Sequence, residues 1–578
     1  MRNIMMTALL VPLLALAGTN LTPVTVVDTE GSVRPHHPVA QATRDGSGGP
    51  PAMFVGTVDT VGGTAYDWQA NGPAYRCVVN SEDYGLHVAW MYGADTANFP
   101  DRNIRYNFYD YALGEWGWVD NDFMLSGVNV YTDRVGYGNL DADPTTGVAF
   151  VSAHGGDPIH PIAARDQAPG AGFFEYSDGP DGYLWSYISV DQTPRIHCHM
   201  IDDATTNEVY YTKVDPWDTW LTPVAVAPPQ PNPNFPNQNV GASKVSGNVC
   251  LTWEQNDVNP DPGYYRISTD GGANWGAPTE LPAPAAYGGD TATSFHISSL
   301  FPFYDRSDGL HIVTSVSPVV EGSGYVIPAQ IWHWSPDNSP NWSHITTAGC
   351  DPNNLLGAVG YNAIYATRPS IGEDGNGNLY VVWEQFDSSN VETEPPGYVR
   401  ADIFAAGSQN NGQTWGAPVK LAAGGTASLR FPSIVDIAHD DTMLAVVYEI
   451  DLLAGFFVQG ENAPTNNAVV CQWVPTSEIP VGIAESPLSR LPARTEVAAV
   501  PNPFGSRTNI SYALPKAGNV SLVIYDATGR PVSTVVSGYH GAGRHNATWD
   551  ATGFAAGIYF YTLSTDDTTL SEKLILVH

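Results

Sequence analysis

The chain is 578 residues long, carries 57 Gly and 46 Pro, and is 11% aromatic but only 14% charged. So much Gly and Pro excludes a mainly helical fold, and 16 Trp with 29 Tyr exclude a disordered chain. Asp and Glu number 59 against 24 Lys and Arg, and the resulting net charge of −35 excludes a nucleic-acid backbone or an anionic membrane as partner. In chain order, residues 1–18 read as a secretory signal peptide. Arg2 is the basic start, Ile4 to Gly18 the mostly apolar run, and Ala15-Leu16-Ala17 the small residues a signal peptidase reads. The run is shorter than the about 20 apolar residues of a membrane span, and no later stretch is long enough. Residues 19–52, polar and rich in Pro and Gly, read as a flexible leader.

Residues 53–480 repeat. Short β-type runs begin at Leu86, Val148, Val209, Val249, His311, Leu379 and Leu444, mostly after a turn rich in Gly, Asn and Asp. Two copies are nearly identical, Gly247-Asn-Val-Cys-Leu-Thr-Trp-Glu-Gln255 and Gly377-Asn-Leu-Tyr-Val-Val-Trp-Glu-Gln385. The spacing of the runs matches one four-stranded blade per repeat, and seven repeats fit between about Ala74 and Pro475. Cys77, Cys198, Cys250, Cys350 and Cys471 are too few and too scattered for a disulfide framework, and most read as buried small hydrophobes.

A second motif keeps the same register. Ser268-x-Asp270-x-Gly272-x-Asn274-Trp275 and Ser408-x-Asn410-x-Gly412-x-Thr414-Trp415 are the strong copies; Ser335-x-Asp337-x-Ser339-x-Asn341-Trp342 is a weaker one. The hydroxyl and carboxylate suit a tight turn, the Gly a positive φ, and the Trp a wedge between sheets. The motif resembles the Asp box, or BNR repeat, of sialidase-like β-propellers. That resemblance implies a structural box on the outer blade edge, away from any ligand.

Residues 481–497 read as a linker and residues 498–578 as a small β-sandwich, from Asn502-Pro-Phe504 through Val520–Asp526, Trp549-Asp550 and Gly557–Tyr561 to Lys573–Leu576. This unit resembles the FlgD-type Ig-like domain, specifically the C-terminal sorting domain of the type IX secretion system. The resemblance implies contact with outer-membrane secretion machinery, and a secreted or cell-surface protein after export to the periplasm.

Seven polar residues precede the repeats: Arg76, Arg134, Arg195, Asn239, His296, Arg368 and Arg430. The chain holds only 19 Arg and five Lys, so five Arg at one repeat position are conspicuous. In a propeller they would ring the central channel and bind a carboxylate, sulfate or phosphate, or else each would pair with a channel acid. Glu254, Glu384 and Glu449 also recur at one position, which favours a structural role over catalysis. Tyr448 and Glu449 resemble the Tyr–Glu nucleophile pair of sialidases, but adjacent strand residues point to opposite faces. His197 and His199 with Asp202 and Asp203 fall short of a zinc site. Asp374-x-Asn376-x-Asn378 and Asp141-x-Asp143 share features of a Ca²⁺ loop without its full pattern, so no cofactor is expected, with Ca²⁺ as the alternative. The expectation is an all-β protein, a seven-bladed propeller (six-bladed as the alternative) followed by an Ig-like sandwich. Its expected function is to bind an extracellular glycan or other anionic ligand; the alternative is an exo-acting glycoside hydrolase of sialidase type.

Overall fold

The computed structural model describes residues 22–23, 52–70, 75–203, 208–227, 237–254, 262–284, 294–320, 323–348, 358–392, 397–482, 495–500, 502–514, 516, 518–540, 543–565 and 568–577. The signal peptide, Cys350 and most of the leader and linker lie outside them. The described residues are all-β apart from two short 3₁₀ turns, and they divide into two compact units at residues 483 and 484.

In the first unit seven antiparallel sheets follow one another, opening with Val78–Ser81, Val135–Ala142, Tyr183–Val190, Asn239–Ala242, Ser294–Tyr304, Ala366–Glu373 and Ser428–Ile434. We number them sheets 1 to 7. Each is built on a meander in which the main strands pair in chain order, so Gly- and Asp-rich hairpins suffice for most connections; short extra strands join sheets 1, 5 and 6. The matched repeats become second strands at equivalent places, Val249–Glu254 in sheet 4 and Leu379–Val391 in sheet 6. Their Trp253 and Trp383 are fully buried. At about 25 cal/mol per Å² over about 150–250 Å², each ring contributes on the order of 4–6 kcal/mol.

The first strand of each sheet packs on that of the next, and sheet 7 returns to sheet 1. There the Cys77 N–H donates to Ser433 Oγ at 3.2 Å and the Asn80 N–H to Asp436 Oδ1 at 3.0 Å. Sheet 7 is completed from the start of the unit: Thr57–Thr64 is its fourth strand, pairing with Asn467–Pro475. This joins the two ends of the ring by a ladder of backbone hydrogen bonds.

Five first strands share a bulge with a non-glycine residue at positive φ: Tyr137 (54°), Trp185 (50°), Ser299 (54°), Arg368 (53°) and Phe431 (55°). Side chains at one position, near the end of the preceding sheet's second strand, cap the N–H groups of four of them. Met91 Sδ accepts from Tyr137 at 2.8 Å, His154 Nδ1 from Trp185 at 3.2 Å, Glu254 Oε1 from Ser299 at 2.7 Å and Glu384 Oε2 from Phe431 at 2.8 Å. Two of the three recurrent glutamates, Glu254 and Glu384, are therefore backbone caps, whereas Glu449 accepts from the Asn467 side chain instead.

The second unit has a three-stranded and a four-stranded antiparallel sheet. Trp549, Phe504, Ile524, Leu563 and Leu574 lie in its core. Both ends of the expected linker carry β-structure. Val481–Gly482 pairs in parallel with Gly407 and Ser408, and Glu496–Val500 pairs with Arg507–Leu514.

Candidate functional site

The seven polar positions do not share one environment. Arg368 and Arg430 converge on Glu384. Arg368 Nη1 donates to Glu384 Oε1, and Arg430 donates through Nε and Nη2 at 3.3 Å each; all three side chains are buried. Burial alone would raise the Glu384 pKa, but Arg430 and Arg368 hold it below the usual range. Arg76 lies 3.7 Å from Asp141, a buried carboxylate that also accepts from Lys244 at 2.7 Å. Asn239 opens its strand, bonds its own Val240 N–H, and offers its carbonyl to His199. His296 is half-buried in its strand.

Arg195 departs from the expected placement. It sits in the turn between the first and second strands of sheet 3, bonded to Asp191 at 2.8 Å through Nε. The reason is a strand count: the run at Val209 is the third strand of its sheet, whereas the other six runs are second strands. Counting back from it lands one strand late.

Arg134 stands apart. It is exposed, immediately before Val135–Ala142, and its Nε donates to the Phe99 carbonyl at 2.9 Å. Arg102, half-buried just before Asn103–Asp110, donates from Nε to the Val135 carbonyl at 2.9 Å. Among the described residues, neither guanidinium has a carboxylate within 4.0 Å. Arg102 Nη1 lies 3.4 Å from Tyr66 Oη, which is 3.2 Å from Tyr137 Oη, and the guanidinium rests over both rings at 5.7 and 5.8 Å. Gly136 makes room, since a Cβ there would lie 2.7 Å from Arg102 Nη2. Partial burial, then the charge of Arg102, lowers the pKa of Arg134. Burial, then Arg102 and Arg134, pushes His154 down to about 3, so its ring is neutral. Its Nδ1 accepts from Trp185, which leaves the proton on Nε2. The cluster thus combines two uncompensated guanidiniums, two tyrosine hydroxyls and a neutral imidazole, beside the strained backbone of Tyr137. Such an array suits a bound carboxylate or sulfate. Of these residues the sequence singled out only Arg134.

A third group is acidic. Asp67, Glu449 and Asp451 are buried together. Burial pushes Asp67 up to about 7; burial with the charge of Asp67 pushes Glu449 up to about 8 and Asp451 well above its ordinary value. Asp67 accepts from the N–H groups of Phe457 and Val458, and Glu449 from Asn467 at 2.8 Å. Tyr448 donates elsewhere, to Gln472 Oε1 at 3.0 Å, so it makes no pair with Glu449.

In the first box Gly272 N–H donates to Ser268 Oγ at 2.9 Å and Asn274 N–H to Asp270 Oδ1 at 2.8 Å. Gly412 and Thr414 repeat these bonds to Ser408 and Asn410 at 3.0 Å each. Gly272 and Gly412 have φ of 75° and 73°. Trp275 meets Tyr211 of sheet 3 at 4.7 Å, and Trp415 meets His333 of sheet 5 at 5.4 Å. In the weaker copy Asn341 replaces Asp337 in closing the turn, and Trp342 donates to the Pro282 carbonyl at 2.7 Å.

Residues 499–577 match the family described as the secretion system C-terminal sorting domain. The match supports a secreted or cell-surface protein that meets the secretion machinery. Among the described residues no helix is long and apolar enough to cross a membrane. No curated protein matches the chain. Among solved structures it is similar to a PL25 ulvan lyase, at 13% identity and TM-score 0.42 over 74% of this chain and 96% of that one. A GH93 α-L-arabinofuranosidase of Fusarium graminearum gives 12% and 0.35 over 60% and 94%, and the phage phi92 endosialidase 9% and 0.37 over 77% and 73%.

Proposed function

We propose that sheets 1 to 7 are the blades of a seven-bladed, sialidase-like β-propeller whose Asp boxes are structural, and that an Ig-like sorting domain exports it. Outside the cell the propeller binds an anionic glycan through Arg102 and Arg134, with Tyr66 and Tyr137 as hydroxyl partners. One observation carries this reading. In a chain with a net charge of −35, two neighbouring arginines have no acid partner among the described residues. Like charges placed together cost free energy, and a bound carboxylate or sulfate offsets that cost. Hydrolysis has less support, because the raised carboxyls of Asp67, Glu449 and Asp451 are buried and bonded to backbone and amide groups.

The test is calorimetry on the full chain with oligogalacturonate, sulfated dextran and neutral dextran. Both anionic probes, or one of them, should bind, with affinity falling as salt rises. Neutral dextran matching the anionic probes, or no salt dependence, contradicts the reading.

A further inference from the structure

A large cavity lies at the far end of the same strand that starts beside Arg134. It is an open groove of about 840 Å³ between sheets 2 and 3, lined by Asp143, Phe150, Arg165, Asp166, Glu175, Asp215 and Trp217 among others. Arg134 and Asp143 flank Val135–Ala142, so strand rise puts the two places roughly 25–30 Å apart. The groove is large enough for a small-molecule ligand, about 300–1,000 Å³ being usual.

Its chemistry is unlike that around Arg102 and Arg134. The one lining guanidinium, Arg165, is held by Glu175 at 2.6 Å and lies over the Trp217 ring at 4.5 Å. Phe150 meets the same ring at 5.9 Å. Asp166 is buried and accepts from Gln167, Gly172 and Phe173 N–H groups at 2.9–3.1 Å. Asp143 accepts from Thr145 N–H at 2.8 Å and Thr146 Oγ1 at 2.5 Å. An anion would meet four carboxylates and an occupied arginine. A cation would find most of those carboxylates already hydrogen-bonded. What remains is a half-buried indole beside planar groups with lone pairs to spare.

We infer that this groove is a second binding site, for a neutral oligosaccharide. The apolar C–H face of a sugar ring packs on the Trp217–Phe150 floor. Its hydroxyls bond the outer oxygens of Glu175 and Asp215 and the edge of Arg165. The protein then carries two glycan sites of opposite character at opposite ends of one strand, so it can bridge an anionic and a neutral chain.

The experiment is titration of the full chain with cellohexaose, xylohexaose, laminarihexaose and mannohexaose, read by calorimetry and tryptophan fluorescence. At least one should bind. Trp217→Ala should weaken it by about tenfold or more, the effect of losing an aromatic anchor. Glu175→Gln, an exposed change that leaves the fold alone, should weaken it by about threefold. The double variant Arg102→Ala/Arg134→Ala should bind it unchanged. Binding by none of the four at millimolar concentration overturns the inference. So does binding indifferent to both groove variants, or preferential capture of hexalysine, which would make the groove a cation site.

Discussion

Two pairs of arginines sit in this ring under opposite conditions. Arg368 and Arg430 are each 1% exposed and share Glu384, which also caps a strained bulge. Arg102 and Arg134 reach solvent, hold backbone carbonyls through Nε, and have no carboxylate among the described residues. The first pair belongs to a device used from sheet to sheet, in which a second-strand side chain caps the bulge of the next first strand. The second pair lies where the same device uses uncharged caps: Met91 and His154 hold the bulges there, and neither can neutralise a cation. Repetition marks scaffold, and a switch to uncharged caps within it marks the place where charge is left for a ligand.

The largest effect is expected at Glu384. Glu384→Ala leaves two buried guanidiniums uncompensated and should cost about 3–5 kcal/mol of stability. Denaturant melts of the full chain measure this, and anionic-glycan affinity of the folded fraction should not change. A loss under 1 kcal/mol would put the two pairs on an equal footing.

Next comes the box wedge. Trp415 is half-buried against His333 and donates to Ser343 Oγ at 3.0 Å. Trp415→Ala should therefore cost about 2–4 kcal/mol, somewhat below a fully buried ring. An unaltered melting temperature with lost binding would move the box into the ligand site.

The single variants Arg102→Ala and Arg134→Ala should each weaken an anionic probe by about 1.5–3 kcal/mol, roughly 10- to 150-fold, with stability nearly unchanged. Isothermal titration beside a melt separates the two quantities.

The smallest effect is pH dependence, and it has a definite sign. Asp67 and Glu449 are raised from ordinary values of 3.8 and 4.5 to about 7 and about 8, so the folded state holds protons that the unfolded state has released. Their contribution is fully present below about pH 4 and is lost as pH rises through 7 and 8. Glu384, lowered by its arginines, acts in the opposite direction: its contribution is present at neutral pH and lost on acidification. Melting temperature should fall by a few degrees between pH 6 and 9, and Glu449→Gln should flatten that decline. A rise over this range would place the acid group in water.

The sheets were readable because their turns and tryptophans recur with a period that depends on local chemistry alone. Arg368 and Arg430 stood out for the same reason, but a repeated position says nothing about its partner, and here the partner is Glu384. Arg195 was misplaced because the third strand of sheet 3 has the same apolar character as a second strand. Arg102 was invisible: it ends a hairpin connection, residues 93–102, that lies outside the repeated runs and the boxes. His154 and Met91 occupy the position of Glu254 and Glu384, yet only the two glutamates share a residue type that a pattern could find.

The most direct measurement takes melting temperature and anionic-probe affinity together on Arg102→Ala/Arg134→Ala and on Arg368→Ala. The double variant should melt within about a degree or two of the parent and lose nearly all binding, and Arg368→Ala should melt far lower and bind normally once folded. The reverse pattern, with the double variant unstable and still binding, would make Arg102 and Arg134 scaffold and contradict the assignment of the site.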